Sequence, residues 1–305
     1  MNFYLNDKYK SVRLGKGDEV LLSLEENKDG SVRSAYVAEI ARDRYLAYLA
    51  VGFAVMLVLV GGIAGLKAIV SLGLTVLAVL KILLPAILRG WNPIMVSVGI
   101  CVAAICTTLL IISGFNKKTL SAVVGTTGGM VVAGITALLV GSLAKLTGFG
   151  TEESQMLMYI QNVQFDFRGL LFSGIIIGAM GATMDVGMAI ASAMHEIKSN
   201  NPAMKTRDLI RAGMNVGRDT MATMSNTLIL AYTGGSLHLM LLFMAYKTSF
   251  AEIINWDAIA SEVLRALAGS IGIVFTIPLT ALAAGLIERR ETRQKRDTRI
   301  DYRAL

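Results

Sequence analysis

The amino-acid sequence predicts an all-α polytopic membrane protein, with about seven transmembrane helices, two short interfacial helices and a small N-terminal β-hairpin segment. Two observations predict this fold class. Hydrophobic residues make up 54% of the 305 residues and charged residues only 17%, whereas about a quarter of an ordinary soluble domain is charged. Several apolar stretches also exceed the roughly 18 residues with which a helix crosses the hydrocarbon core.

The pattern of polar and apolar residues divides the chain into three parts. They are an extracytoplasmic β-rich remnant at 1–43, a transmembrane helical bundle at 44–288 and a basic cytoplasmic tail at 289–305. Within the first part, Val20–Glu25 alternates in hydrophobicity, Asn27–Gly30 is a turn sequence and Val32–Ile40 returns as a second strand. One hairpin alone is marginally stable in water, so we expect the end of a larger β-rich module or a decoration on the bundle.

Apolar segments that end at charged or turn-forming residues account for the helical bundle. From the N-terminus, these segments are 45–66, 68–87, 93–113, 120–143, 170–193, 220–246 and 263–287. The last two carry residues that weaken a helix. Thr233, Gly234 and Gly235 predict a kinked or discontinuous sixth helix, and in the seventh Pro278 cannot donate a hydrogen bond to the carbonyl of Val274.

Two further segments are typical of short helices at the membrane surface. Thr151 can cap a helix whose first turn contains Glu152 and Glu153, and both acids are favourable near the positive end of the helix dipole. A second helix is predicted at 202–213, where Asn201 can cap, proline occupies the first helical position, and basic residues surround two apolar ones.

The distribution of basic residues predicts the orientation. An outside N-terminus combined with seven spans leaves Lys67, Lys117, Lys118, the 198–218 stretch and the tail inside, as the positive-inside rule requires. The formal net charge of +7 thus has a membrane interpretation. We expect a multi-pass protein of a bacterial cell (plasma) membrane, oriented N-out and C-in.

Several function classes find no support in the sequence. No basic stripe is interleaved with aromatic residues, so a nucleic-acid partner is not expected. Cys101 and Cys106 share one apolar segment, and His195 and His238 lack metal-ligand spacing, so we predict neither a metal site nor a cofactor. Without a phosphate-binding loop or a hydrolase motif, we predict no enzyme. The expected partners are the lipid bilayer and a paralogous membrane protein or a second copy of the chain.

The strongest candidate for a functional site is Asp185, a carboxylate in the middle of the fifth apolar segment. Gly174, Gly178 and Gly181 precede it at spacings of four, three and four residues, so all four share one helix face. The glycines are candidates for close helix packing. An ionisable group inside a span is costly unless it is paired or hydrated, so Asp185 could bind a cation, relay a proton or pair with a buried cation. A purely structural salt bridge or hydrogen bond is the alternative.

Polar residues in and before the sixth segment extend this candidate site. Arg218 and Asp219 form either a gate pair or an interfacial cation beside a helix-capping acid. Asn226, Thr227 and the interruption at 233–235 would line the same cavity as Asp185 if the fifth and sixth helices face each other. A helix interrupted near the midplane exposes backbone dipoles to an ion or a polar solute.

Ordered motifs along the chain carry a family resemblance. They are Leu84-Pro85, Gly90-Trp-Asn-Pro93, Gly148-Phe-Gly-Thr-Glu-Glu153, Gly181-Ala-Thr-Met-Asp185-Val, Ala191-Ser-Ala-Met-His-Glu196-Ile, Gly213-Met-Asn-Val-Gly-Arg-Asp219 and Asn226-Thr-Leu-Ile-Leu-Ala-Tyr-Thr-Gly-Gly235. Together they resemble the YibE/F family of bacterial multi-pass membrane proteins. The resemblance implies a membrane protein that is often encoded as one of a neighbouring pair, and it implies no reaction. Longer members begin with a further transmembrane helix and a fuller extracytoplasmic domain, so we expect this chain to be either a truncated reading frame or a shortened member of the family.

Two functional hypotheses follow. The preferred one is a permease-like component that moves a small polar solute or ion, with Asp185 as the coupling or binding carboxylate. The alternative is a non-transporting membrane scaffold, or assembly partner of a paralogous membrane protein, that packs through Gly174 and Gly178. The hypotheses differ at Asp185, because transport requires its charge whereas a scaffold tolerates asparagine if the hydrogen bonds survive.

Overall fold

A computed structural model describes residues 4–5, 17–27, 32–160 and 164–304 of the chain. Residues 28–30 of the predicted turn and the predicted end of the first interfacial helix at 161–163 lie outside these ranges. The chain divides into two compact units, Met1–Ile69 and Val70–Leu305. The first contains a small sheet and the start of a long helix, and the second contains the helices that carry the candidate site.

Among the described residues, the sheet of the first unit has three strands. They are β1 (Tyr4–Leu5), β2 (Val20–Glu26) and β3 (Val32–Ile40), in the order β1-β3-β2. β2 and β3 are antiparallel, from Val20 opposite Ile40 to Glu26 opposite Val32, and β1 adds to β3 in parallel. The predicted pair of strands is therefore confirmed.

Helix α1 (Asp43–Ala78) follows the sheet and contains a sharp break at Gly62, where φ is 54° and ψ is −130°. A side chain rarely adopts this backbone conformation, whereas glycine does so readily. Beyond the break the chain turns back, so that the carbonyl of Leu57 lies against Gly65. The predicted boundary between the first two spans was Lys67, and the structure has it at Gly62 instead. The hydropathy pattern shows the charge of Lys67, but it contains no information on the backbone angle φ at Gly62.

The remaining elements belong to the second unit. After α1 come a short π-helix (Val79–Leu83), α2 (Leu84–Leu88), α3 (Pro93–Ser113), α4 (Lys117–Leu143), α5 (Glu152–Leu157), α6 (Phe167–Asn200), α7 (Thr206–Gly235), α8 (Leu237–Ala245), α9 (Phe250–Ile254) and α10 (Asp257–Ala304). Several of these helices begin next to a residue whose side chain caps the first turn. Asn92 accepts from two backbone amides of α3, and Thr151 accepts from the amide of Ser154 as the sequence predicts.

Five helices among the described residues are long and apolar enough to cross a membrane, and the number is six if the bent pair α7–α8 forms one span. The predicted number was about seven, because the sequence separated the first two spans. In the structure they form one stretch, Asp43–Leu88, of 46 residues. At about 1.5 Å per residue a straight helix of this length would measure about 69 Å, more than twice the hydrocarbon core. The arms 43–61 and 63–88 on either side of Gly62 each retain the length of a span.

Two predicted details of the later helices differ from the structure. The short basic helix at 202–213 is the first part of α7, which runs without a break into the sixth predicted span. Nothing between residues 213 and 220 interrupts the backbone hydrogen bonds, and Pro202 lies in the turn before the helix. The predicted interruption at 233–235 is confirmed, since α7 ends at Gly235 and α8 continues at an angle of 56°. α10 contains Pro278 and remains helical up to Ala304.

The centre of the second unit is formed by α4, α6 and α10. Small residues allow these helices to approach closely. Gly125 lies against Thr280, Gly129 against Thr276, and Gly187 against Thr126. The hydroxyls of Thr183 and Thr276 donate to carbonyls one turn earlier in their own helices, as is usual for threonine buried in a membrane helix.

A polar contact links the end of α4 to the beginning of α10. The backbone amide and the hydroxyl of Thr147 both donate to the carboxylate of Asp257, and each donor–acceptor distance is 3.0 Å. Asp257 is the first residue of α10 and follows Thr147 by 110 positions. The two helices with the most extensive mutual packing are thus also joined at one end.

Candidate functional site

Asp185 lies near the middle of α6, 18 residues after Phe167 and 15 before Asn200. At about 1.5 Å per residue, it is therefore about 27 Å and about 22 Å from the two ends of the helix. Its side chain is exposed, and among the described residues it makes neither a hydrogen bond nor an ion pair. The next residue, Val186, is completely buried in the core. The carboxylate consequently faces away from the bundle centre.

The three glycines before Asp185 form the floor of a groove along α6. A methyl group added at Gly178 would lie 2.5 Å from the hydroxyl oxygen of Tyr232, and one added at Gly174 would lie 3.9 Å from the guanidinium of Arg265. One added at Gly181 would meet nothing within 4 Å. Two of the glycines therefore accommodate side chains from α7 and α10, whereas the space above Gly181, next to Asp185, is open.

Helix α7 forms one wall of this groove. Close contacts join Gly178 to Tyr232, Ile190 to Gly217 and Met194 to Gly213. Because residue numbers rise on α6 as they fall on α7, the two helices are antiparallel, and Asp185 lies level with Ala222 to Ser225. Ser225 is seven residues before Tyr232 and so shares its face. Its hydroxyl oxygen is buried and has no hydrogen-bond partner within the described part of the chain.

The end of the groove nearer Phe167 is occupied by three side chains that the sequence did not single out. Arg265 of α10 lies 3.5 Å from the carboxylate of Glu262, and its guanidinium carbon is 5.8 Å from the ring centre of Tyr232. The Nε atom of Arg265 is buried without a hydrogen-bond partner among the described residues. A charged pair three residues apart at the start of the last apolar segment was the signal that could have identified this cluster.

The other predicted residues of α7 lie around its circumference. Thr227 follows Ser225 by two positions, which is about 200° around the helix, and its hydroxyl donates to the carbonyl of Thr223. Asn226 is exposed, as are Thr233, Gly234 and Gly235 before the bend. No hydrogen bond within the described ranges connects Asn226 or Thr227 to Asp185. The structure therefore brings Tyr232, rather than Asn226 and Thr227, to the groove.

Arg218 and Asp219 are both exposed, and no ion pair joins them in the described structure. Arg218 is seven residues before Ser225 and lies on the same face of α7, whereas Asp219 is about 100° away from it. Long helical side chains lean toward the N-terminus of their helix. The guanidinium of Arg218 therefore extends away from the level of Asp185.

Two further findings bear on ligand binding. The described residues contain no group of three or more histidine, cysteine, aspartate or glutamate side chains placed to hold a metal ion. A cavity of about 220 Å³ lies between the α2–α3 turn and the start of α6, where Trp91, Asn92, Gln164 and Asp166 line it. Asp166 precedes Asp185 by 19 residues, or about 28 Å of helix, so this cavity is separate from the groove.

A family model described as YibE/F-like protein matches residues 49–290, which is well over half of the chain. The chain belongs to the YibE/F-like family. No curated protein and no solved structure matches it. The matched residues of this YibE/F-like protein include all of α6 and α7 and the apolar part of α10, and therefore every helix that contributes to the groove.

Proposed function

We propose that this YibE/F-like membrane protein is a permease-like component that moves a small polar solute or ion along the groove of α6, with Asp185 as the binding or coupling carboxylate. The observation that carries the proposal is an exposed carboxylate that has no partner among the described residues and lies at the middle of a helix long enough to span the membrane. Placing an aspartate at the centre of a lipid-facing helix costs about 2.5–3.5 kcal/mol on insertion scales. Water or a bound solute in the groove would remove this cost.

The form of the groove supports the same proposal. Its floor is glycine, one wall carries the hydroxyl of Tyr232, and its space is open next to Asp185. The bend between α7 and α8 lies one turn beyond Tyr232, where Gly234 and Gly235 leave the backbone accessible. Interrupted helices of this kind coordinate ions and polar solutes in many transporters.

We infer further that the protein lies in a bacterial plasma membrane, N-out and C-in, and acts without enzymatic activity. The basic residues favour this orientation. The orientation needs an odd number of crossings, and the two arms of the Asp43–Leu88 stretch supply it if each crosses once. The end of α6 near Phe167 and the Arg265 cluster then face outward.

The transport proposal is tested by replacing Asp185 with asparagine. Purified protein is reconstituted in liposomes that contain a pH-sensitive dye, and gradients of protons, Na⁺ or K⁺ are imposed. We expect the wild type to dissipate at least one gradient faster than protein-free liposomes, and Asp185→Asn to reduce the rate to that background. The matched control is Asp208→Asn, which makes the same change at an exposed position in the first turn of α7. Equal rates in wild type and Asp185→Asn across the gradients and across a panel of osmotically tested solutes would contradict the proposal.

One observation favours a scaffold as the second candidate. Gly181 is exposed and open, so a helix of a paralogous protein or of a second copy could cover it and the carboxylate together. Oxidative cross-linking in native membranes separates the candidates. A Gly181→Cys variant, with Cys101 and Cys106 replaced by alanine, would form disulfide-linked dimers efficiently if this face were an interface between copies. It would remain monomeric if the face borders an aqueous groove.

A further inference from the structure

Positive charge around the groove does not fully offset the negative charge, and the inference from this imbalance rests on the proposed function. Arg265 and Glu262 lie 3.5 Å apart, so each offsets the charge of the other. Arg265 approaches Gly174, which is 11 residues or about 16 Å from Asp185 along α6. Opposite charges pair effectively within about 4–6 Å, so this guanidinium does not neutralise Asp185.

Arg218 does not neutralise Asp185 either. It lies four to seven residues along α7 from positions 222–225, which is about 6–10 Å from the level of the carboxylate. Helical side chains lean toward the N-terminus of their own helix, and α6 and α7 are antiparallel. The carboxylate of Asp185 therefore leans toward Gly181, while Arg218 leans in the opposite direction.

The other helices packed on α6 add no charge at this level. α10 runs parallel to α6, with Thr183 beside Gly272 and Gly187 beside Thr276, so Asp185 lies level with Val274 and Phe275. α4 runs antiparallel to α6 and presents residues near 125–128, which are glycine and threonine. α3 contains no ionisable side chain other than its two cysteines. Among the described elements packed on α6, Asp185 is left as a single uncompensated negative charge.

We propose that the groove binds a monovalent cation, either an alkali-metal ion or a small organic ammonium group, at the carboxylate of Asp185 in the space above Gly181. The carboxylate supplies the countercharge, and the open space above Gly181 leaves room for the ion and its water. Divalent cations are held by several oxygen ligands, commonly with more than one carboxylate, and Asp185 is the only carboxylate at this level among the described residues packed on α6. Anions are repelled by the same uncompensated charge.

The test measures how fast charged reagents reach the groove in the reconstituted protein. Gly181→Cys is introduced after Cys101 and Cys106 have been replaced by alanine, and a side chain at Gly181 has room because a Cβ there meets nothing within 4 Å. The thiol is modified with methanethiosulfonates of similar size that are cationic (trimethylammonium), anionic (sulfonate) or neutral. The cation-to-anion rate ratio is normalised to that of free cysteine in the same buffer.

We expect the normalised ratio to favour the cationic reagent by at least about tenfold, since a charge at the wall of a low-dielectric cleft concentrates counter-ions by this factor or more. The matched control adds Asp185→Asn to the same background, and there the ratio should fall to that of free cysteine. Added Na⁺, K⁺ or tetramethylammonium should slow the cationic reagent, and the most effective competitor distinguishes an inorganic from an organic cation.

The possible failures are distinguishable. If both charged reagents react at the ratio of free cysteine, the groove is hydrated but does not select cations, which overturns this inference and leaves the transport proposal standing. If no reagent reacts while the variant elutes as a folded, monodisperse protein, the groove is closed to water, which overturns the inference and favours the scaffold. A preference that persists in Asp185→Asn would overturn the assignment to Asp185.

Discussion

At the scale of single residues, the glycines of α6 differ in what they contact, and this difference is measurable. Gly178→Ala should lower the free energy of unfolding by about 1–3 kcal/mol, because the new methyl group would lie 2.5 Å from the Tyr232 hydroxyl oxygen. Gly181→Ala should be neutral or stabilising by up to about 1 kcal/mol, since its space is open and alanine favours a helix. Thermal unfolding of the purified variants in detergent provides the measurement.

The control for this prediction is a double variant. Tyr232→Phe removes the oxygen atom nearest to the added methyl group, and the next nearest ring carbon is 3.8 Å away. Gly178→Ala combined with Tyr232→Phe should therefore recover most of the stability lost in Gly178→Ala. A double variant as unstable as the sum of the two single variants would show that Tyr232 does not lie over Gly178.

Hydropathy alone was enough to single out Asp185 as a candidate, because a carboxylate in an apolar segment is conspicuous in any sequence. The surroundings of Asp185 could not be predicted in the same way. Tyr232 reaches the groove because of the register between α6 and α7, and Arg265 reaches it because α10 runs parallel to α6. Both relations depend on contacts between helices that are distant in sequence, whereas Asn226 and Thr227 were expected there from composition only.

At the scale of elements, α4 and α10 approach so closely that the contact involves backbone. A methyl group added at Gly125 would lie 2.7 Å from the Cα atom of Thr280 as well as against its hydroxyl. Gly125→Ala should therefore lower the free energy of unfolding by at least about 1–3 kcal/mol, and Thr280→Ala should fail to restore it because the Cα atom remains. Chemical or thermal unfolding of the three variants checks this.

Gly99→Ala is the matched control, because a Cβ at this position of α3 meets nothing within 4 Å. It should leave stability unchanged or raise it slightly. Restoration by Thr280→Ala would mean that only a side chain, and not the backbone, limits the approach of the two helices.

The bounds of α3 and α4 were close to prediction because capping asparagines and charges mark their ends. The break in α1 was displaced because only a glycine conformation marks it.

At the scale of the whole molecule, the number of crossings decides on which side each terminus lies. We expect the N-terminus outside and the C-terminus inside, because the arms on either side of Gly62 each have the length of a span. Fusions of alkaline phosphatase, which is active outside the cytoplasm, and of a cytoplasmic fluorescent reporter to each terminus provide the measurement. Termini that report the same side would mean an even number of crossings, as when the Asp43–Leu88 stretch crosses only once or the bent pair α7–α8 does not cross.

The bond between Thr147 and Asp257 has a consequence for biosynthesis. Thr147 follows α4, and Asp257 begins α10. These two helices have the most extensive contact of the described elements, yet 110 positions separate the two hydrogen-bonded residues. At a synthesis rate of about 5–20 residues per second, about 5–20 s pass between the synthesis of Thr147 and that of Asp257. For at least this time α4 is present without α10, the helix on which it packs most extensively. During that interval the glycine face of α4 has no α10 to cover it. A chain stopped before α10 should therefore be recognised as incomplete and degraded, even though most of its spans have already been inserted.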